Sequence, residues 1–178
     1  MDAKRPQELP PVKPAPCKAY SCAQSKYDVP RLSNRLLVSG FSGSGKSSLA
    51  QYLVLTAFKG CFALIYLLSS TAFSDVSTWG PVRKYIYKPC SEGGMGVPPE
   101  EECFFDDWQE GAHLTRILDE AKSVTDWLKA KGRSELSNVL VIVDDWASNA
   151  RAMKGAGSNV SIWCLTQRFR NIRQAVRS

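Results

Sequence analysis

The chain has 178 residues, 44% of them hydrophobic and 22% charged, which suits one ordinary globular domain and excludes a disordered, collagen-like or disulfide-scaffold protein. Its net charge of +6 permits a polyanionic partner without establishing one. No apolar run approaches the length of a membrane-crossing helix, and the N-terminus lacks the apolar core of a signal peptide.

Residues 1–30 hold six of the ten prolines, Pro6, Pro10, Pro11, Pro14, Pro16 and Pro30, and few aliphatic residues. So little core can form there that a flexible tail is expected, with the folded domain over 31–178. Cys17 and Cys22 have no second Cys/His pair at zinc-site spacing, and Cys61 and Cys164 adjoin apolar runs as small core residues would. With Cys90 and Cys103, all six are expected to be reduced thiols of an intracellular protein that is not secreted.

Arg35–Ser39 is a short apolar run bounded by polar residues, the pattern of a strand. It runs into Gly40-Phe41-Ser42-Gly43-Ser44-Gly45-Lys46-Ser47, which reads G-x-x-x-x-G-K-S, the phosphate-cradling P-loop pattern. Gly40, Gly43, Ser44, Gly45, Lys46, Ser47 and Ser48 are therefore the candidate phosphate contacts, through backbone N–H groups that a glycine-rich turn and a helix N-terminus present. Lys46 is expected to reach the β- and γ-phosphates of ATP, and the Ser47 hydroxyl to ligate Mg2+.

From Ser48 to Phe58 the sequence has no Gly or Pro and is apolar nearly all round, which predicts a largely buried helix stopped at Gly60. Phe62–Leu68 is a continuous apolar run and predicts a strand covered on both faces. Arg83–Lys88 reads as another short strand, and Cys90–Glu102, with its glycines and prolines, as a loop. Gly111–Lys131 predicts a helix with Leu114, Ile117, Leu118, Ala121, Val124 and Leu128 on one face and Gly132 as its stop. His113, the only histidine, reads as a surface or capping residue.

Val139–Val143 predicts a buried strand that ends in Asp144 and Asp145. Open α/β sheets bind ligands at the carboxyl ends of their strands. Asp144 can there hold Mg2+ opposite Ser47, and Asp145 can orient or deprotonate an attacking water; the competing reading is two acids that cap a helix starting near Trp146. Val160–Thr166 predicts a fourth strand, ending in Gln167, an amide that can sense a γ-phosphate or simply end the strand. Arg168, Arg170, Arg173 and Arg177 then follow. They can contact the phosphates of DNA or of a neighbour's ATP, or form a solvated helix face. The alternation of strands and helices implies a three-layer α/β domain with a mostly parallel sheet.

Four blocks, in order, resemble the genome-packaging ATPases of large DNA viruses and virophages, within the FtsK/HerA superfamily of DNA-pumping P-loop NTPases: GFSGSGKS, IYLLSSTAFSDVSTW, VLVIVDDW and NVSIWCLTQRFRNIRQAVRS. The resemblance covers about Leu36 to Ser178. It implies a RecA/FtsK-like fold and an ATP- and Mg2+-dependent motor. Such a motor works as a homo-oligomeric ring that threads double-stranded DNA into a capsid, with capsid proteins as partners and no membrane involved. Its place would be the host cytoplasm, a viral factory or the virion.

Carried over by position, Lys46 and Ser47 bind phosphate and Mg2+, Asp144 is the Walker B metal carboxylate, and Asp145 is the catalytic carboxylate. Gln167 is the sensor glutamine, on a strand placed beside the P-loop strand. Arg177 is the candidate finger, and Arg168 and Arg170 are candidate DNA or interface contacts. The sequence departs from the family at Gly155-Ala156-Gly157, where a Gly-Arg-His-like turn is usual. It also stops where family members continue with further strand and helix, as a truncated copy would. These departures raise an alternative, a degenerate nucleotide-binding or ring-scaffold subunit with little hydrolysis.

Overall fold

In a computed structural model, residues 22–107, 112–145 and 159–167 are described. Cys17, the expected helix near Trp146, the turn at Gly155 and all four C-terminal arginines lie outside them.

The centre of the fold is a five-stranded sheet: β1 (Arg35–Ser39), β2 (Leu64–Ser69), β3 (Phe104–Phe105), β4 (Val139–Asp144) and β5 (Val160–Thr166). Every pairing is parallel, in the order β1-β5-β4-β2-β3. All residues of β4 and β5 are buried, which explains their unbroken apolar runs: a parallel strand covered on both faces has no polar side to show. β5 lies between β1 and β4, as expected of the strand that ends in Gln167. Asn34 ties its register to β1: its N–H donates to the Ser161 hydroxyl, and its side-chain oxygen accepts from the Trp163 indole at 2.9 Å. Trp163, fully buried, packs edge-on against Phe58 and Phe62, with ring centroids 5.4 and 6.0 Å away.

The helical run after the P-loop is α1 (Lys46–Tyr52), continued as a π-helical stretch over Leu53–Ala57. It is less buried than its composition predicts. Ala50, Val54 and Phe58 face the core, whereas Leu49 is 44% and Tyr52 62% exposed. A single helix can turn only one stripe to a sheet, so its remaining apolar residues look outward whatever their number.

Arg83–Lys88 is not a strand. It belongs to α2 (Val76–Tyr87), capped by Asp75, whose carboxylate accepts from the Thr78 N–H at 3.0 Å. Trp79, Val82 and Ile86 form its buried stripe at helical spacing. Gly80 and Pro81 obscure that signal, since both are poor helix formers in isolation. β3 was not foreseen, because two residues are too few to show a period. It extends the sheet beside Leu67 and Leu68.

α3 (Ala112–Ala130) agrees with the expected helix, and the Arg133 and Gly132 N–H groups close on Leu128 and Lys129 at its end. Thr125 is buried while Val124 is 51% exposed, so the inward face is turned slightly from the one expected. His113 is partly buried, stacked at 4.5 Å on Phe105 with Asp107 beside it at 3.5 Å. No helix among the described residues is long and apolar enough to cross a membrane. Among the described residues the cysteines form no disulfide, and Cys61, Cys103 and Cys164 are buried.

The segment expected to be tail is docked where it is described. Asn138 donates to the Ala23 carbonyl at 3.0 Å, Ser25 donates to the Ala57 carbonyl, and the Gln24 amide bridges both the N–H and the carbonyl of Leu32. Proline content says little about such contacts, because they use main-chain groups and short polar side chains. Deleting residues 1–27 should therefore destabilise the domain by about 1–3 kcal/mol, as three modest hydrogen-bonded links would. Denaturant unfolding of the truncated and full chains measures this, and equal midpoints would show the contacts to be worth nothing.

Candidate functional site

Because all five strands run the same way, their carboxyl ends share one edge of the sheet. That edge collects Ser39 with the loop Gly40–Gly45, Ser69, Asp144 with Asp145, and Thr166 with Gln167.

The loop has the backbone its glycines predict. Gly43 and Gly45 sit at φ 74° and 83°, a left-handed region that side chains disfavour. At Gly40 the constraint is space: a Cβ there would come within 2.6 Å of the Ser44 hydroxyl oxygen. The Gly40 N–H continues the sheet by donating to the Thr166 carbonyl at 3.2 Å, so the loop is anchored to β5. Helix α1 begins directly at Lys46. Lys46 is only 8% exposed, with its ammonium folded under the loop on the Phe41 carbonyl at 2.9 Å. Ser42, Gly43, Ser44, Gly45 and Ser48 are exposed, and Ser47 is partly buried.

Opposite the loop, Asp144 is 5% exposed at the end of β4. Its Oδ2 accepts two hydroxyl hydrogen bonds, from Ser47 and from Ser69, each at 3.3 Å. Burial, then the neighbouring Asp145 carboxylate, pushes the Asp144 carboxyl above its usual range, against the pull of both serines and of Lys46. Asp145 turns away. It adopts φ 60°, a conformation aspartate tolerates better than most residues, and its N–H still bonds the Leu165 carbonyl at 3.0 Å. That turn presents its carboxylate at the exposed edge, where the Gln167 amide donates to Oδ2 at 2.9 Å. The two carboxylates thus face different partners, one the loop and one the end of β5.

The structure thereby brings together Lys46, Ser47, Asp144, Asp145 and Gln167. The competing reading, two acids that cap a helix starting near Trp146, falls on residues outside those described. Among the described residues no three His, Cys, Asp or Glu side chains gather as a metal cage. A hydroxyl and a carboxylate within hydrogen-bond reach of each other, next to the glycine loop, nevertheless fit Mg2+. That ion takes hard oxygen donors and usually completes its shell with phosphate and water. Sequence reasoning assigned nothing to Ser69 and Thr71. The signal was available, because the rule that drew attention to Asp144, position at a strand's carboxyl end, applies equally to Ser69.

A raised carboxyl pKa means that Asp144 supports folding while it is neutral. The contribution is present below the ordinary carboxylate range and is lost as pH rises through the raised pKa. At neutral pH the ionised group therefore costs stability. Asp144→Asn should raise the melting temperature of the nucleotide-free protein at pH 7, with the gain shrinking as pH falls. A pH series of thermal unfolding checks this; a variant that melts lower at every pH contradicts it.

No family model and no curated protein matches the sequence. One solved structure to which the chain is similar is described as "Structure of pCW3 conjugation coupling protein TcpA monomer form with ATPgS", at 14% identity and TM-score 0.47. The likeness covers 81% of this chain and 47% of that one, so the chain spans about half the length of that protein.

Proposed function

We propose that this chain is an ATP-binding and hydrolysing motor subunit that translocates double-stranded DNA, packaging a viral genome into a capsid from within the host cell. The observation that carries the nucleotide part is the meeting of four elements at one sheet edge: a glycine loop with left-handed turns at Gly43 and Gly45, a buried lysine beneath it, the Ser47–Asp144 hydrogen bond and the Asp145–Gln167 pair. The packaging part rests on the sequence resemblance alone.

In this reading the loop N–H groups and Lys46 hold the phosphates, and Ser47 and Asp144 hold Mg2+. When bound, the ion neutralises charge on the phosphate oxygens. Asp145 accepts a proton from, or orients, the attacking water. The Gln167 amide steers that carboxylate, and a γ-phosphate oxygen can compete with Asp145 for the same N–H. Occupancy of the γ-site is thereby linked to the freedom of the base. Chain copies would assemble as a ring, with Arg177 a finger onto the neighbour's nucleotide and Arg168 and Arg170 on the DNA backbone or the interface.

The test is a nucleotide titration followed by a turnover assay with and without double-stranded DNA. Mg2+-dependent ATP binding with DNA-stimulated hydrolysis supports the motor. Binding with negligible hydrolysis in the assembled state supports the ring-scaffold reading, which Gly155-Ala156-Gly157 favours. No binding overturns both. Alanine variants of the arginines separate their roles. Loss of a finger lowers turnover by roughly 10³–10⁵ with or without DNA. Loss of a phosphate contact flattens the salt dependence of DNA binding and leaves basal turnover alone.

A further inference from the structure

We propose that Ser69, oriented by Thr71, is a positioning residue for the Asp144 carboxylate, so that the end of β2 belongs to the metal–nucleotide site. The proposal deepens the nucleotide-site reading and rests on it.

Ser69 is 1% exposed and closes β2, where it stands in register with Asp144. The rest of that strand is apolar, Leu64-Ile65-Tyr66-Leu67-Leu68. A hydroxyl buried there costs free energy unless it is hydrogen-bonded, and an apolar residue would suit the strand better. The backbone ladder between β2 and β4 does not need it. What the hydroxyl does is donate to Asp144 Oδ2 at 3.3 Å.

The direction of each hydrogen bond follows from the donor inventory. An ionised carboxylate only accepts, so the single Ser69 hydrogen goes to Asp144. The Ser69 oxygen is then left to accept, and it does so from the Thr71 N–H at 3.2 Å. The Thr71 hydroxyl lies 3.1 Å from the same oxygen and must be the donor of that pair. The result is a directed chain, Thr71 to Ser69 to Asp144, in which each bond polarises the next.

Asp144 Oδ2 thus has two serine donors of different kinds. Ser47 lies in the first turn of α1 and is itself the candidate metal ligand. Ser69 is held in the sheet, with its Cα fixed by the ladder. Whatever Ser47 does when nucleotide and metal arrive, Ser69 keeps the carboxylate in place. Partners that hold a ligating carboxylate typically matter 10–100-fold in metal affinity. Ser69 should therefore affect the metal and not the bare nucleotide.

The experiment uses the full chain and a fluorescent ATP analogue. Analogue affinity is measured in EDTA; Mg2+ is then titrated onto the protein with analogue bound, alongside thermal unfolding without ligand. For Ser69→Ala the expected result is unchanged affinity in EDTA and about tenfold weaker Mg2+ binding. Thr71→Val leaves the Thr71 N–H in place and should show a smaller loss in the same direction. Thr71 is exposed, so this variant carries the test if Ser69→Ala does not fold. A folded Ser69→Ala whose Mg2+ titration matches wild type overturns the proposal. So does an equal loss in EDTA and in Mg2+, which would mark a purely structural role. If Thr71→Val alone is available, a wild-type Mg2+ titration for it overturns the proposal as well. Absence of analogue binding by the wild-type chain overturns the nucleotide-site reading itself, a result distinct from these.

Discussion

Lys46→Ala is expected to abolish measurable nucleotide turnover, by at least about 10²–10³-fold, and to weaken ATP binding strongly. Among the described residues Lys46 and Asp144 are the charged groups drawn under the surface; Lys46 is 8% exposed, and its ammonium sits on the Phe41 carbonyl inside the loop at 2.9 Å. A lysine stem spends entropy and desolvation to occupy that place, and one neutral carbonyl is weak compensation. Phosphate oxygens entering the loop supply the charge it lacks. Asp144 also feels this ammonium, which helps keep its carboxylate ionised. The alanine variant should therefore lose phosphate binding and unsettle the carboxylate opposite. Isothermal titration with ATP and a phosphate-release assay measure both effects. Wild-type values in the two together would remove the loop from the function.

Asp145→Asn is expected to bind Mg-ATP as wild type does and to hydrolyse it about 10²–10⁴-fold more slowly, the usual worth of a positioned base. The variant is informative because it keeps the local structure. Asparagine tolerates the left-handed backbone found at position 145, and its side-chain oxygen can still accept from Gln167. Only the charge and basicity disappear. Asp144 has a different environment, buried and bonded to Ser47 and Ser69, so its substitution should instead fall on the metal-dependent part of binding. Single-turnover hydrolysis with saturating Mg-ATP separates the cases. Unimpaired hydrolysis by Asp145→Asn takes this residue out of the chemistry.

The strands were legible in the chain wherever burial on both faces forced an unbroken apolar run. Val139–Asp144 and Val160–Thr166 are the clear cases, and both came out with the boundaries their composition implies. The P-loop pattern was equally plain, because glycine most readily accepts the left-handed backbone that Gly43 and Gly45 adopt, and a lysine followed by a hydroxyl residue stands at the helix start. Position at a strand's carboxyl end was enough to single out Asp144, Asp145 and Gln167.

Helix α2 and the docking of Cys22 to Pro30 were not legible. In the first, Gly80 and Pro81 hid a stripe of Trp79, Val82 and Ile86 that becomes meaningful only against the sheet. In the second, the contacts run through the backbone of Ala23, Ala57 and Leu32, and main-chain groups leave no trace in residue identity. The exposure of Leu49 and Tyr52 was likewise undecidable, since which stripe of an apolar helix faces inward depends on what it packs against.

The sequence by itself picked out the residues proposed to cradle phosphate, hold a metal and act on water. Those are properties of side-chain chemistry and of short-range backbone freedom. The tertiary structure alone decided how the two acids divide, and that Ser69 joins one of them. Asp144 is drawn in to the serines, and Asp145 is turned out to Gln167. Ser69 stands in register with Asp144 on the next strand, whereas Asp145, past the end of β4 at φ 60°, is tied by its N–H to the Leu165 carbonyl near Gln167, so the partners come from whichever neighbours the strand order places there. Here those neighbours are β2 on one side of β4 and β5 on the other, an order set by long-range pairing.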